Sequence, residues 1–370
     1  MREESEEKKF LRRLFLHSGI FFVLGCCLMF VISEFGINKN AGEEQNIKKE
    51  ISAKEKVEQS QGAYLKREKR EEILKKLGAC YIRIQKPKNA SFPVELEDCY
   101  QQGRVRLYMY QMLDENISFE DLQFVYTGEN SKKVLAQFKK ETSISYELES
   151  NNKNTAILSF PVDKIYGYCL YEDEQYIYIA CKKPSEVYDK IIVLDAGHGG
   201  KDTGTDALSG NWSEADYNLD FVRKIEQQWS EEDAKLYLTR WDDTKVSLKK
   251  RVGFANDLSA DYFISIHCNS SDETGGYGLE ALYKTNQYKT SSKQMAKTCL
   301  EQLSFTTGMP NRGALNGQSI YIIRNAKMPT VLLEMGFLTD KADLAYLKKE
   351  ENRTKMAEAV CSAIRKGMKQ

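Results

Sequence analysis

The second half of the chain alternates short apolar runs with amphipathic segments. Strand candidates at 191–195, 262–266 and 330–333 are short and rich in β-branched or aromatic residues. Between the first two, the segment 213–229 repeats its apolar positions at helical spacing. Because strands that alternate with helices are typical of α/β domains, we expect such a domain at 187–370.

Residues 79–186 show the two-residue period of β-strands. The runs 104–110 and 155–162 are strand candidates, and two Tyr- and Ile-rich runs flank the polar segment 172–175 as in a hairpin. No cluster of titratable residues of catalytic type occurs here. The pattern predicts a small β-rich accessory domain with a binding or positioning role.

The N-terminal region contains an apolar run at 14–32, directly after Lys8, Lys9, Arg12 and Arg13. At about 1.5 Å per residue, a helix of this length crosses ~30 Å of hydrocarbon. The apolar run with basic residues before it predicts a cytoplasmic tail at 1–13 and a transmembrane anchor at 14–33. Because basic residues tend to stay on the cytoplasmic side, the rest of the chain should lie outside the cell membrane. A cleaved signal peptide is the competing interpretation, although no small-x-small cleavage site follows. The Lys- and Glu-rich segment 34–78 predicts a solvated helical or disordered spacer.

Composition narrows the possible functions. The formal net charge is +0, with 54 basic and 54 acidic residues, so we expect no nucleic-acid partner. The nine cysteines contain no C-x-x-C pair, which excludes a zinc knuckle or a thioredoxin-like motif. Only three histidines occur, His17, His198 and His267.

Each of three predicted strands is followed by a residue of a type that takes part in catalysis or metal binding. His198 follows the first strand, His267 the second and Glu334 the third. Since the functional crevice of open α/β sheets lies outside the carboxyl ends of the strands, these residues should share one rim. Glu214 joins them there, because Ser213 and Asp216 have the spacing of a capping box and place it in the first turn of a helix.

Two histidines and one carboxylate form the ligand set of a catalytic zinc site. We therefore predict one Zn²⁺ held by His198, Glu214 and His267, with Glu334 as the acid–base residue that moves protons. Asp195, Ser265 and Asn269 are candidates for orienting the imidazoles. No organic cofactor is expected.

Each of these residues also has a simpler interpretation. A lone histidine is more often structural, and Glu214 alone is an ordinary acid at a helix start. The segment around His198 has neither the G-K-[ST] of a phosphate loop nor the third glycine of a dinucleotide fingerprint. Cys268 lies next to His267 but should point to the opposite face of the strand, where it packs.

A set of motifs then identifies the family that the C-terminal half resembles. DAGHGGKDTG, GNWSEADYNLD, LTRWDD, LKKRVGFANDLSADYFISIHCNSS, GLEALY and LLEMGFLTD occur in that order, as in zinc-dependent N-acetylmuramoyl-L-alanine amidases of the amidase-3 type. The resemblance covers about 190–370. It implies a mixed sheet flanked by helices, zinc ligands at His198, Glu214 and His267, and a catalytic glutamate at Glu334. It departs from the common pattern at Ala215 and Cys268, neither of which is a ligand.

The resemblance also implies a substrate, peptidoglycan, cut between N-acetylmuramic acid and L-alanine. We expect Arg251, Arg312 and Asn269 to contact it, with Arg240 a further basic candidate, although Arg251 fits a structural ion pair equally well. The segment 267–334 is too short for the blocking helix that some relatives insert, so the predicted site is not self-blocked. The β-rich part faintly resembles the accessory β-domains of cell-wall hydrolases.

Two alternatives to the amidase stay open: a non-catalytic wall-binding or regulatory protein on an amidase scaffold, and a zinc peptidase acting on stem peptides. Partner proteins of division or sporulation are not identified by the sequence.

Overall fold

The computed structural model describes residues 66–67, 69–86, 93–112, 122–126, 143–148, 154–208, 212–229, 234–271 and 276–369. Gln61–Gln370 forms one compact unit. The predicted tail at 1–13 and anchor at 14–33 lie outside the described residues, as does most of the predicted spacer at 34–78.

The end of the predicted spacer is a packed helix. Helix α1 (Arg70–Leu77) buries Ile73 and Leu77 against a small apolar cluster that includes Tyr171 and Tyr178. A helix that buries one face packs against a hydrophobic core. Residues 70–77 therefore differ from the solvated spacer that the sequence predicts.

The described residues of the β-rich part form two sheets. Their strands are β1 (Lys66–Arg67), β2 (Cys80–Gln85), β3 (Val94–Cys99), β4 (Arg104–Met112), β5 (Leu122–Tyr126), β6 (Ser143–Leu148), β7 (Asn154–Pro161), β8 (Gly167–Glu172) and β9 (Tyr176–Lys182). One sheet has the order β1-β8-β9-β2-β5 and the other β3-β4-β7-β6. An apolar cluster with Ile82, Ile84, Leu107 and Leu158 joins them. The predicted strands at 104–110 and 155–162 lie within β4 and at β7, and the predicted hairpin is β8–β9.

The C-terminal half is built on a third sheet, of mixed direction. Its strands are β10 (Ile191–Ala196), β11 (Lys235–Leu238), β12 (Tyr262–Asn269), β13 (Leu279–Tyr283), β14 (Asn311–Asn316) and β15 (Thr330–Phe337), in the order β11-β10-β12-β15-β13-β14. Strands β10, β11, β12 and β15 run parallel, whereas β13 is antiparallel to β15.

Helices cover both faces of this sheet, because its central strands are apolar on both sides. The helices are α2 (Glu214–Gln228), α3 (Leu248–Asp257), α4 (Lys289–Thr307), α5 (Tyr321–Asn325), α6 (Lys341–Leu347) and α7 (Glu350–Met368). Ile192 and Leu194 face α2, α4 and α7, whereas Ile191 and Val193 face α3 and α5. This arrangement confirms the predicted mixed sheet flanked by helices. The predicted boundary between residues 186 and 187 stays a prediction.

The predicted membrane location needs a correction. Among the described residues, no helix is both long and apolar enough to cross a bilayer. Helices α4 and α7 reach 19 residues each, but both carry charged residues along their exposed sides, which hydrocarbon does not accommodate. This finding overturns the predicted single-pass location with an outward-facing catalytic domain. The segment 14–33, on which that prediction rested, lies outside the described residues.

Candidate active site

The carboxyl ends of β10, β12 and β15 form the rim on which the candidate residues lie. Ala196 pairs with Ile266 across β10 and β12, and His267 pairs with Glu334 across β12 and β15. Paired residues project from the same face of a sheet, so His267 and Glu334 are neighbours. His198 follows β10 by two residues and reaches the same rim.

His198, Glu214 and His267 converge on one point. Glu214 Oε1 lies 2.8 Å from His267 Nδ1 and 3.3 Å from His198 Nε2. One donor atom from each side chain falls within 4.8 Å of the others. Nitrogen and carboxylate donors gathered at this spacing fit a single divalent ion of the zinc type.

Glycines make room for this convergence. A Cβ on Gly197 would lie 2.3 Å from Cε1 and Nε2 of the His267 ring, and one on Gly204 would lie 2.5 Å from Glu214 Oε2. His198 itself has a φ of 59°, in the left-handed region that few non-glycine residues adopt. The glycines around the histidine therefore serve close packing of side chains against backbone.

Glu214 is held by the start of helix α2. Ser213 and Asp216 form the predicted capping box, so the helix begins at Glu214. The carboxylate is buried, and its Oε2 accepts a hydrogen bond from the backbone N–H of Thr205 at 3.0 Å. The positive end of the helix dipole favours a carboxylate in this turn.

The protonation states of Glu214 and His198 depend on each other. Burial raises the pKa of Glu214, but hydrogen bonds from His198 and His267 outweigh it and hold that pKa well below its usual range. The hydrogen bond to Glu214 raises the pKa of His198 to about 9 against the opposing effect of burial. A metal ion binds the neutral imidazole, so its binding here would release a proton.

Glu334 has the surroundings of an acid–base residue. Its Oε2 is buried and has no hydrogen-bond partner among the described residues. Burial raises its pKa to about 7, and the negative charges of Glu214 and Glu280 act in the same direction. A carboxyl group that titrates near neutral pH can both accept and donate a proton.

The contacts around the imidazoles differ from the expectation. Asp202, which the sequence analysis did not single out, has its Oδ1 2.9 Å from His198 Nδ1. A tight turn brings it there, because the backbone N–H of Gly199 donates to the carbonyl of Asp202 at 2.8 Å. The signal in the sequence was an acid four residues after the histidine, within a glycine-rich turn.

The predicted orienting residues make other contacts. Asp195 accepts hydrogen bonds from the hydroxyls of Ser265 at 2.6 Å and Thr239 at 2.5 Å, and from Arg251 at 2.6 Å. Asn269 Oδ1 accepts from the backbone N–H of Ser270 at 2.8 Å. Asp195 and Ser265 thus stabilise the strands beneath the rim, and their hydrogen bonds do not orient the imidazoles.

The arginines divide into buried and exposed ones. Arg251 is 2 % exposed and donates to Asp195 and to the carbonyls of Ala196, His198 and Val246. These contacts favour the structural ion pair over a substrate clamp, because its donors already have partners.

Arg240 is equally buried and donates to the carbonyls of Ala196, Gly197 and Ala215. Arg312 is more open. Its Nε donates to Glu280 at 3.1 Å, and its guanidinium lies over the Phe337 ring. As predicted, Cys268 points into the core, where it is 2 % exposed.

The C-terminal half of the chain is similar to known proteins. The family model described as N-acetylmuramoyl-L-alanine amidase (Amidase_3) matches residues 192–366. The chain is 32 % identical over 182 residues to N-acetylmuramoyl-L-alanine amidase LytC of Bacillus subtilis (strain 168), covering 49 % of this chain and 36 % of LytC. The chain thus spans about a third of the length of that relative.

Two shorter relatives are covered almost fully. The uncharacterized protein YqiI of Bacillus subtilis (strain 168) is 32 % identical over 185 residues, which are 50 % of this chain and 88 % of YqiI. The catalytic domain of CwlV, an N-acetylmuramoyl-L-alanine amidase from Bacillus (Paenibacillus) polymyxa var. colistinus, is 34 % identical, with 49 % of this chain and 98 % of that domain covered and a TM-score of 0.45. With the family model matched and YqiI covered over most of its length, the chain belongs to the Amidase_3 family of N-acetylmuramoyl-L-alanine amidases.

Proposed function

We propose that this protein is a zinc-dependent N-acetylmuramoyl-L-alanine amidase that hydrolyses the amide between N-acetylmuramic acid and L-alanine in peptidoglycan. The observation that carries the proposal is the convergence of His198, Glu214 and His267 beside Glu334, whose Oε2 is buried. Membership of the family supports the substrate class.

His198, Glu214 and His267 would hold the zinc ion. When bound, zinc supplies a Lewis acid that lowers the pKa of water and polarises the substrate carbonyl. The donor set fits such an ion, because Glu214 is held ionised and each imidazole has a ring nitrogen directed at the carboxylate. Asp202 accepts the N–H at Nδ1 of His198, so Nε2, which faces Glu214 Oε1 at 3.3 Å, is the nitrogen that would bind the metal.

Glu334 is assigned the proton transfers. Its carboxylate would take a proton from the attacking water and pass it to the nitrogen of L-alanine as the amide bond breaks. The burial that raises its pKa keeps both protonation states accessible near neutral pH. Because Oε2 has no hydrogen-bond partner among the described residues, this proton transfer breaks no existing bond there.

The proposal is tested by Glu334→Gln on purified cell-wall sacculi with zinc supplied and no activator protein. We expect a loss of about 10²- to 10⁴-fold in peptide release, which is the usual contribution of a general acid–base residue, with zinc content unchanged. Glu301→Gln, an exposed position on α4, is the matched control and should keep full activity.

Mass spectrometry of the products separates the alternatives. Stem peptides that begin with an intact L-alanine, left together with free muramyl lactate, are the expected products. Shorter peptides would identify a zinc peptidase instead. Equal and negligible release by the wild-type chain and by Glu334→Gln, both loaded with zinc, would point to a non-catalytic wall-binding protein.

A further inference from the structure

The side chain of Tyr100, in the β-rich part, bonds directly to the sheet of the C-terminal half (β11-β10-β12-β15-β13-β14), which we call the catalytic sheet. Tyr100 lies in a short 3₁₀ turn after β3, and its hydroxyl accepts a hydrogen bond from the backbone N–H of Leu238 at 2.7 Å. Its ring meets the Tyr237 ring edge-on, with centroids 4.9 Å apart. Burial raises the pKa of the Tyr100 hydroxyl, which therefore stays protonated at any physiological pH.

The backbone N–H of Leu238 needs such a partner because β11 is an edge strand. The N–H groups of Lys235 and Thr239 donate inward, to the carbonyls of Lys190 and Leu194. Alternate residues of a strand in a parallel ladder point to opposite sides, so Leu238 donates away from β10. Beyond that edge the Tyr100 hydroxyl accepts this hydrogen bond, so the outward N–H of Leu238 has a partner. Asp98 reaches the same strand through its ion pair with Lys235 at 3.6 Å.

The two residues that follow Leu238 hold the metal-binding segments. Thr239 Oγ1 donates to Asp195 Oδ1 at 2.5 Å. Arg240 donates from Nε to the carbonyl of Ala196 at 2.9 Å, and from Nη2 to Gly197 at 2.9 Å and Ala215 at 2.8 Å. Gly197 precedes His198 and Ala215 follows Glu214, so one guanidinium fixes the backbone beside both of these candidate ligands.

We propose that Tyr100 is a positioning residue through which the β-rich part sets the separation of His198 and Glu214. By fixing Leu238, its hydroxyl fixes the segment 238–240 from which Arg240 reaches both ligand-bearing loops. The β-rich part then helps to set the geometry of the candidate active site. This inference rests on the proposed zinc site.

The test compares Tyr100→Phe with Tyr108→Phe in the full chain. The first variant removes the hydrogen bond to Leu238 and keeps the ring. The second removes a hydroxyl that donates to Glu97 at 2.7 Å within the β-rich part. Zinc affinity is measured by competition with a chromophoric chelator, and thermal melting monitors the fold.

We expect the zinc dissociation constant of Tyr100→Phe to rise by about 10-fold, the lower end of the loss seen when groups that orient metal ligands are removed. Tyr108→Phe should bind zinc as the wild type does, even where its melting temperature falls equally. Equal zinc affinity in the two variants would overturn the proposal, because a merely structural role predicts that result.

A measurement on the wild-type chain keeps the proposal falsifiable if Tyr100→Phe fails to fold. Hydrogen exchange should find the Leu238 amide protected to the same degree as amides inside β10. An amide that exchanges as freely as those of exposed turns would refute the coupling. Neither readout requires hydrolysis. A wild-type chain that binds zinc but leaves sacculi intact would refute the proposed activity, and zinc affinity and hydrogen exchange would still test the role of Tyr100.

Discussion

Replacing Gly197 with alanine tests whether close packing beneath the His267 ring is required for the site. The added Cβ would lie 2.3 Å from two ring atoms, whereas ordinary contact begins at 3.4 Å, so the ring must retreat by about 1.1 Å. The backbone of Gly197 cannot yield easily. Its N–H donates to Ile266 at 3.0 Å, and its carbonyl accepts from Arg240 at 2.9 Å.

A displacement of about 1 Å at a catalytic group can cost 10²-fold in rate. We therefore expect kcat/KM of Gly197→Ala on solubilised peptidoglycan to fall by about 10²-fold, equivalent to about 2.7 kcal/mol of lost transition-state stabilisation. Zinc affinity should fall as well, because His267 is one of the proposed ligands. Peptide release is followed by chromatography, and zinc by chelator competition.

Gly253→Ala is the matched control. A Cβ at Gly253 in α3 meets nothing within 4 Å, and alanine is favoured over glycine in helices by about 1 kcal/mol. This variant should keep its activity and melt at a slightly higher temperature. A folded Gly197→Ala chain that retains both activity and zinc affinity within twofold of the wild type would show that close packing beneath the His267 ring is not required.

Two further predictions concern acidic residues. Asp202→Asn should weaken zinc binding by about 10-fold, because it removes the carboxylate that holds Nδ1 of His198; unchanged affinity would assign Asp202 to the turn alone. In the β-rich part, burial raises the pKa of Asp173, but hydrogen bonds from Gln175, Tyr178 and Tyr176 lower it overall. A lowered folded-state pKa contributes stability above the unfolded value of about 3.9 and loses it as the pH falls through the folded value. The melting temperature of Asp173→Asn should thus lie below that of the wild type at pH 6, with a smaller difference at pH 3; a constant difference would contradict the shift.

The rim of the catalytic sheet could be predicted because its signals are local. The apolar runs end where the strands end, and the capping box of Ser213 and Asp216 places the start of α2 at Glu214. The spacing of apolar residues in strands and helices reflects which side chains are buried. Both the mixed sheet and the strands of the β-rich part could therefore be predicted from the sequence.

The partners of buried charges could not be predicted in the same way. Arg251 and Asp195 are 56 residues apart in the chain, and nothing in either neighbourhood distinguishes a structural arginine from one that binds substrate. The contact between Tyr100 and Leu238 spans 138 residues. Such pairs depend on how whole elements dock, and a single sequence carries little information about docking.

The pairing of His267 with Glu334 would make the proposed hydrolysis a reporter of correct strand register. A one-residue slip between β12 and β15 would turn Glu334 into the apolar layer and bring Leu333 or Met335 to the rim. A chain trapped with that error would retain its strands and helices but lack the carboxyl group beside the proposed metal site. With the proposed zinc-dependent activity, turnover per bound zinc would therefore measure the fraction of refolded molecules whose strands are in register, which circular dichroism cannot distinguish.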